Sequence, residues 1–251
     1  MTLKNETKTQ SWLMREIKET QELLASVPST VVTLMVVSVI CMNLLANKTI
    51  FQNEWLALDG GFLMSWLAFM CMDAITIHFG PKAGNRIVVF ALLVNLFACL
   101  FFYIVSIIPS TADDYTAFNT IFKGTWFILL GSSIAFVLSG FINNFLNWTI
   151  GKMFKDNPDS KMAYATRTYI STFIGQFIDN LIFAVIVFTI FAPIFWDGFH
   201  WTIIQCITCS LTGAIAELIM EVLFSPIGYH TALSWKQNKI GETYINKYVK
   251  E

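Results

Sequence analysis

The sequence predicts an all-α, polytopic membrane protein with six transmembrane helices. Hydrophobic side chains make up 55% of its 251 residues, charged side chains only 13%, and the mean hydropathy is +0.60. Soluble domains of this size rarely reach these values, and the long apolar runs are typical of membrane spans. From this composition we expect a lipid bilayer as partner and no nucleic acid; the net charge of −1 carries no information about nucleic acid.

Residues 1–28 form a polar segment that precedes the apolar spans. Leu13, Ile17 and Leu24 fall on one helical face, which predicts an amphipathic helix at the cytoplasmic surface, ending at Pro28. The alternative is a solvated tail. At the other end of the chain, residues 229–251 are predicted to form a cytoplasmic C-terminal tail.

Six apolar segments lie between these ends, within residues 29–228. Each can cross a hydrocarbon layer about 30 Å thick as a helix that rises about 1.5 Å per residue. Glycine and proline residues mark the connections, as expected where a chain leaves the bilayer. We place the spans at about residues 30–47, 61–79, 87–109, 125–147, 169–192 and 201–223.

The distribution of positive charge predicts the orientation of these spans. Every lysine and arginine except Lys48 and Lys123 falls in a terminal segment or in and beside the second or fourth connection. Cytoplasmic connections carry an excess of these residues. Both termini are therefore predicted to be cytoplasmic.

Four acidic residues interrupt the predicted spans: Asp73 in the second, Asp179 in the fifth, and Glu217 and Glu221 in the sixth. An unpaired charge there costs about 2.5–3.5 kcal/mol on insertion scales, and we expect no lysine or arginine in the membrane centre to pair with them. We therefore interpret the first three as lining one polar cavity, and we expect Glu221 at the cytoplasmic rim. The alternative is that each acid bonds to a neighbouring helix and only holds the bundle together.

Amide side chains accompany these acids. Asn43 and Asn47 lie one helical turn apart in the first span, as do Gln176 and Asn180 in the fifth. With the carboxylates they suit a guanine-like heterocycle, because a carboxylate accepts from a ring N–H and an exocyclic amine while amides satisfy the carbonyl and ring nitrogens. The same acids could instead carry protons in a coupled transport cycle.

A short repeat predicts internal symmetry. Residues 43–50 (Asn-Leu-Leu-Ala-Asn-Lys-Thr-Ile) and 143–150 (Asn-Asn-Phe-Leu-Asn-Trp-Thr-Ile) end the first and fourth spans, and they agree at four of eight positions. Each copy precedes a span that contains an aspartate. Because three spans separate the copies, they would be inverted in the membrane, which gives the 3+3 inverted repeat common in alternating-access transporters.

Other functional classes find little support in the sequence. The chain has no His-Glu-x-x-His and no Gly-x-Ser-x-Gly, so we expect neither an enzyme nor a cofactor. Cys206 and Cys209 have metal-like spacing but no second pair, so no metal site is predicted. Gly131, Ala135 and Ser139 stand four residues apart, which indicates close packing inside the bundle, with a homodimer face as the alternative.

Four stretches carry a family resemblance: residues 43–49, 55–61, 65–82 and 175–180. They are similar to segments of the queuosine precursor transporter family, also described as the vitamin uptake transporter family, and the likeness runs from about residue 30 to 228. It implies a six-helix carrier of the bacterial inner membrane for 7-cyano-7-deazaguanine or its 7-aminomethyl form. It also implies the positions to test first, with Arg86 at the cytoplasmic rim as a gating residue: Asn47, Asp73, Arg86, Gln176 and Asp179.

Two features keep other interpretations open. Family members often have a lysine close to where Glu217 stands, and a carboxylate there would favour the cationic aminomethyl substrate over the neutral nitrile. The alternative function is the substrate-binding subunit of an energy-coupling-factor vitamin transporter, which needs an ATPase module as partner. Those subunits usually carry paired alanines in the first helix, whereas residues 32–37 here are β-branched and bulky.

Overall fold

The structure is a computed structural model that describes residues 2–110, 116–124 and 126–249. Thr125, the predicted first residue of the fourth span, lies outside this part of the chain, as do Lys250 and the side chains of Leu13 and Lys123. The described residues form ten α-helices, a short 3-10 helix (Lys152–Phe154), a π-helix (Val185–Phe191) and one two-stranded hairpin. The elements are α1 (Thr2–Ser26), α2 (Ser29–Leu45), β1 (Thr49–Gln52), β2 (Ala57–Asp59), α3 (Phe62–Phe79), α4 (Pro81–Ile107), α5 (Thr116–Gly124), α6 (Trp126–Gly151), α7 (Lys161–Ala184), α8 (Ala192–Phe195), α9 (Ile203–Gln237) and α10 (Glu242–Tyr248).

Five helical segments in the described ranges are long and apolar enough to cross a membrane: α3, α4, α6 with the 3-10 helix after it, α7 with the π-helix and α8, and α9. A sixth span results when α1 and α2, which meet at a bend of 107°, are counted as one. α2 by itself has 17 residues and is about 26 Å long. The prediction of an all-α polytopic membrane protein is confirmed.

The spanning helices run alternately between two ends of the bundle. We call them the terminal end, where α1 and α10 pack together, and the hairpin end, where β1 and β2 lie. At the terminal end α3 and α4 meet at Gly80, whose φ of 84° is accessible to glycine at little cost. Pro81 then begins α4 in the first turn, where no backbone N–H is needed.

α9 passes through Pro226 without a break, although the sequence predicts the end of the sixth span near residue 223. A proline lacks the N–H that would bond to the carbonyl four residues earlier, which here is that of Val222. The Ser225 hydroxyl donates to this carbonyl at 2.9 Å and replaces the missing donor. α9 therefore continues to Gln237, and the first part of the predicted tail is helical.

α3 lies at the centre of the bundle, packed against α2, α4, α6 and α9. Its residues 68–76 are all buried. Neighbouring helices approach it through glycines: a Cβ on Gly140 of α6 would lie 3.2 Å from the Met72 sulfur, and one on Gly175 of α7 would lie 2.7 Å from the Phe69 ring. Small residues at these contacts bring polar groups of α6 and α7 within reach of α3.

The small-residue stripe of α6 also faces the bundle interior. A Cβ on Gly131 would lie 2.8 Å from the Val187 side chain, and Ala135 is fully buried. The Ser139 hydroxyl donates a hydrogen bond to Asp179 of α7. Each of the three residues thus contributes to contacts between helices of one chain.

The hairpin between α2 and α3 is a local exception to the helical fold. Its strands are antiparallel, with Thr49 opposite Asp59. The side-chain oxygen of Asn53 closes the turn by accepting a hydrogen bond from the backbone N–H of Trp55 at 2.9 Å. The Thr212 hydroxyl of α9 donates to the Trp55 carbonyl at 2.6 Å, which holds the hairpin against the bundle. Asp59 is thereby placed at the mouth of the helix bundle.

Ion pairs hold α1 against the terminal end. Arg86 of α4 pairs with both Glu16 and Glu19 of α1, and Lys82 pairs with Glu19 at 3.2 Å. The Glu19 side chain is only 3% exposed. Arg86, which the family resemblance places at the cytoplasmic rim as a gating residue, therefore ties α4 to the N-terminal helix.

We expect Arg86→Gln to lower the free energy of unfolding in detergent by about 2 kcal/mol, because it leaves the buried Glu19 carboxylate with a weaker set of partners. Lys247→Gln is the matched control, since it removes a cation from a solvent-exposed pair with Glu22, and such pairs contribute little to stability. Thermal unfolding followed by tryptophan fluorescence compares the two. Equal melting temperatures would contradict the role given to Arg86.

Candidate functional site

An aromatic cavity of about 340 Å³ opens at the hairpin end, and we call it the hairpin cavity. The hairpin, the end of α2, α7 and α9 form its walls. Phe188 and Trp201 are stacked there with ring centroids 4.3 Å apart, and Phe183 and Trp196 lie nearby. Concave sites with aromatic walls and a few polar groups are typical of small-molecule binding.

A smaller space of about 70 Å³ lies next to the hairpin cavity, and we call it the acidic chamber. Three carboxyl groups line it: Asp59 from β2, Asp179 from α7 and Glu217 from α9. Asp59, Asn180 and Phe183 line both spaces. The chamber is therefore the polar inner end of the hairpin cavity.

Hydroxyl and amide groups orient the two acids that come from the helices. Glu217 accepts hydrogen bonds from the Ser65 hydroxyl of α3 at 2.7 Å and from the Asn180 amide of α7 at 2.9 Å. Asp179 accepts one from the Ser139 hydroxyl of α6 at 2.8 Å. A carboxylate offers about four acceptor positions, so each acid retains acceptor capacity for a ligand.

Asp59 is the third acid of the chamber, and it lies outside the spanning helices. Burial raises its pKa to about 6, although the backbone N–H groups of Gly61 and Phe62 act in the opposite direction. The Gly61 N–H donates to it at 2.7 Å. Asp59 is not among the residues that the sequence predicts to bind substrate, yet it stands within the stretch 55–61 that carries the family resemblance.

Asp73 lies away from the cavities described here, in a fully buried layer between the two ends. It accepts hydrogen bonds from the Asn143 amide of α6 at 2.8 Å and the Thr172 hydroxyl of α7 at 3.4 Å. Arg167, which is only 7% exposed, attracts it electrostatically. α7 begins at Lys161 and carries Arg167 into the bundle, where it is bonded to Asn147; among the described residues it forms no ion pair with Asp73.

Gln176 and Glu221 share this buried layer. Both side chains are fully buried, and among the described residues neither the amide of Gln176 nor the carboxyl of Glu221 has a hydrogen-bond partner. The expected position of Glu221 at the rim is wrong, because α9 continues for 16 residues beyond it to Gln237. Gln176, predicted to bind substrate, lies one turn below Asp179 on the terminal side.

The asparagines of the first span lie at the hairpin end. Asn43 is buried and accepts a hydrogen bond from the hydroxyl of Ser132, which lines the acidic chamber. Asn47 lines the hairpin cavity, and its amide nitrogen donates to the Asn43 carbonyl at 3.2 Å. Asn43 therefore supports the chamber wall, while Asn47 faces the space above it.

Two asparagines of the second copy of the sequence repeat, residues 143–150, form hydrogen bonds in and beside the buried layer. Asn143 donates to Asp73, and the Asn147 side-chain oxygen accepts from the Arg167 Nε at 2.9 Å. Sequence reasoning missed both residues as members of the polar network. Their agreement with Asn43 and Asn47 was the signal that could have found them, since Asn43 also bonds to a polar group of another helix, Ser132 of α6.

A third cavity, of about 810 Å³, opens at the terminal end. We call it the basic cavity, because Lys152, Lys155, Arg167 and Lys236 line it with Asp159 as the one acid among its lining residues. The buried layer of Asp73, Gln176 and Glu221 lies between this cavity and the acidic chamber along α3, α7 and α9.

The predicted site residues thus fall into three groups. Asp179, Asn180 and Glu217 meet in the acidic chamber, with Asn47 above it and Asn43 behind its wall. Asp73 and Gln176 lie in the buried layer. Arg86 lies at the terminal end in contact with α1.

The comparison with protein families agrees with this architecture. Residues 59–231, more than two thirds of the chain, match a family described as "Putative vitamin uptake transporter". The matched range contains all three acids of the chamber and the buried layer. Neither the curated proteins nor the solved structures contain a match to this chain. Because the family match covers most of its length, the chain belongs to the vitamin uptake transporter family.

Proposed function

We propose that this protein imports a 7-deazaguanine precursor of queuosine, 7-cyano-7-deazaguanine or its 7-aminomethyl form, into the cytoplasm of a bacterium. The observation that carries the proposal is the acidic chamber at the inner end of an aromatic cavity. The family supports uptake of a small molecule across a membrane. The resemblance of residues 43–49, 55–61, 65–82 and 175–180 to queuosine precursor transporters supports the choice of substrate.

Chemical complementarity supports a flat ligand with several donors. A deazaguanine presents a ring N–H next to an exocyclic amine, and a carboxylate such as Asp179 accepts from both. Asn180 has an amide that can serve the ring carbonyl. The rings of Phe183, Phe188 and Trp201 line the hairpin cavity and offer aromatic surface to a bicyclic heterocycle.

The positions of the cavities support a carrier. The hairpin cavity and the basic cavity open at opposite ends, and the buried layer separates them. A ligand that enters from the hairpin end reaches the terminal end when helices move apart around that layer, as in alternating access. With both termini in the cytoplasm, as positive charge predicts, this direction is import.

Uptake by a queuosine-precursor auxotroph tests the proposal directly. We expect the wild-type chain alone to restore queuosine in tRNA in a host that lacks an energy-coupling ATPase module. Restoration only when such a module is supplied would overturn the solitary carrier in favour of a binding subunit. Failure with both deazaguanines, for a chain shown to be folded in the membrane, would overturn the substrate.

Asp179→Asn should reduce the uptake rate at low substrate concentration at least tenfold, because it removes a charged acceptor worth about 1.5–3 kcal/mol. Asp156→Asn is the control, since Asp156 is an exposed acid in the connection before α7. Uptake of radiolabelled 7-cyano-7-deazaguanine into cells with matched expression measures the effect. Wild-type uptake by Asp179→Asn would remove this acid from the substrate site.

Glu217→Gln should change the preference between the two substrates. The carboxylate favours the cationic aminomethyl compound, so its neutral replacement should shift competition toward the nitrile by about tenfold. Ser65→Ala is the control, because it removes a donor to Glu217 but keeps the charge. If the nitrile outcompetes the amine equally before and after Glu217→Gln, the charge of Glu217 has no part in selection.

Uptake of the nitrile should also depend on pH through Asp59. Its raised pKa of about 6 means that the carboxylate is present above pH 6 and is lost as the pH falls through 6. Affinity should therefore fall between pH 7 and pH 5. Asp59→Asn should have low affinity at pH 7 and lack the fall in affinity between pH 7 and pH 5. Asp179 and Glu217 are present in both proteins, so a difference between the two pH profiles comes from Asp59. An identical pH profile in the variant would contradict the assignment.

A further inference from the structure

We propose that the basic cavity is a binding site for a phosphate-bearing anion at the terminal end of the protein. This site is separate from the acidic chamber, and its existence does not depend on the identity of the transported compound. Its volume of about 810 Å³ lies within the range of small-molecule sites.

The cavity carries a strong excess of positive charge. Lys152, Lys155, Lys236 and Arg167 line it, against a single lining carboxylate. That carboxylate, Asp159, is bonded to the Lys236 ammonium at 2.6 and 2.7 Å, so these two charges largely cancel. Two lysines and one arginine remain for an anion, and clustered cations of this kind are suited to phosphate oxygens.

Arg167 distinguishes this cavity from an ordinary basic membrane rim. Surface lysines at this end follow from orientation alone, but an arginine that is 7% exposed does not. Its Nε donates to Asn147, while its Nη2 has no hydrogen-bond partner in the described part of the chain. A Cβ at position 151 would lie 2.5 Å from its Cζ, so Gly151 leaves the room that this guanidinium occupies.

A second buried donor lies in the same wall. Tyr164 is 6% exposed, and its hydroxyl has no hydrogen-bond partner among the described residues. Buried donors without acceptors are costly, so an anion that reached this wall would satisfy groups that the described residues leave unpaired. Asp73 also attracts Arg167 from the buried layer, and a bound anion would compete with it.

The rest of the lining indicates the other part of the ligand. Trp148, Tyr229 and His78 contribute rings, and Ile77 and Leu233 contribute apolar surface. A ligand with a phosphate group and a flat or apolar body fits this combination. A nucleotide and an anionic lipid both have that chemistry, and the experiment distinguishes them.

The test uses the purified full chain in neutral detergent at constant ionic strength. Two probes carry the phosphate, adenosine 5′-monophosphate and short-chain phosphatidylglycerol, and each has a phosphate-free counterpart, adenosine and short-chain diacylglycerol. Titration followed by the melting temperature gives an apparent Kd for each. We expect one phosphorylated probe to stabilise the protein while its counterpart does not. The probe that binds identifies the source as soluble or lipid.

Variants locate the binding. Arg167→Gln should weaken binding of the phosphorylated probe at least tenfold. The double variant Lys152→Gln with Lys155→Gln should weaken it about tenfold. This second variant provides the test if the buried arginine is needed for folding. Lys161→Gln is the control, because this lysine is exposed in the same region and does not line the cavity. The proposal is overturned if neither phosphorylated probe exceeds its counterpart, or if Lys161→Gln weakens binding as much as the double variant.

Discussion

A carboxyl group inside a membrane helix must lose its charge or gain partners, and this constraint organises the centre of the bundle. Asp73 lies on the most enclosed helix, and its hydrogen-bond donors are Asn143 of α6 and Thr172 of α7, with Arg167 as a cation in its surroundings. Gly140 lets α6 approach α3 closely, and Gly175 of α7 leaves room for the Phe69 ring of α3. The close packing of helices at the centre of the bundle is therefore also what brings hydrogen-bond donors to Asp73.

The two ends of the protein have opposite chemical character. The hairpin end offers carboxylates and amides to a neutral ligand rich in donors, and the terminal end offers cations. Between them, Gln176 and Glu221 are buried without partners among the described residues. A polar ligand that passed between the ends would meet these groups, and so would offset part of the cost of opening the layer.

The sequence alone predicted the helical membrane fold, because apolar length and breaker residues determine it. It also predicted one polar cavity for Asp73, Asp179 and Glu217 from their similar depths, and the structure brings Asp179 and Glu217 together with Asn180 but places Asp73 in the buried layer. The sequence could not place Glu221, because the continuation of α9 through Pro226 depends on a side-chain hydrogen bond, that of Ser225 to the Val222 carbonyl. The sequence did not predict the position of Asp59 either, since a hairpin of a few residues has no hydrophobic periodicity that would show which cavity it lines.

The unbroken course of α9 has a mechanical consequence. One continuous helix of 35 residues carries Cys209 at the hairpin cavity and Lys236 at the basic cavity, about 40 Å apart along its axis. Tilting such a helix about its middle moves its ends in opposite directions. One cavity mouth would then narrow and the other widen in a single movement. The helix can move as one body because the Ser225 hydroxyl bonds to the Val222 carbonyl and keeps it continuous at Pro226.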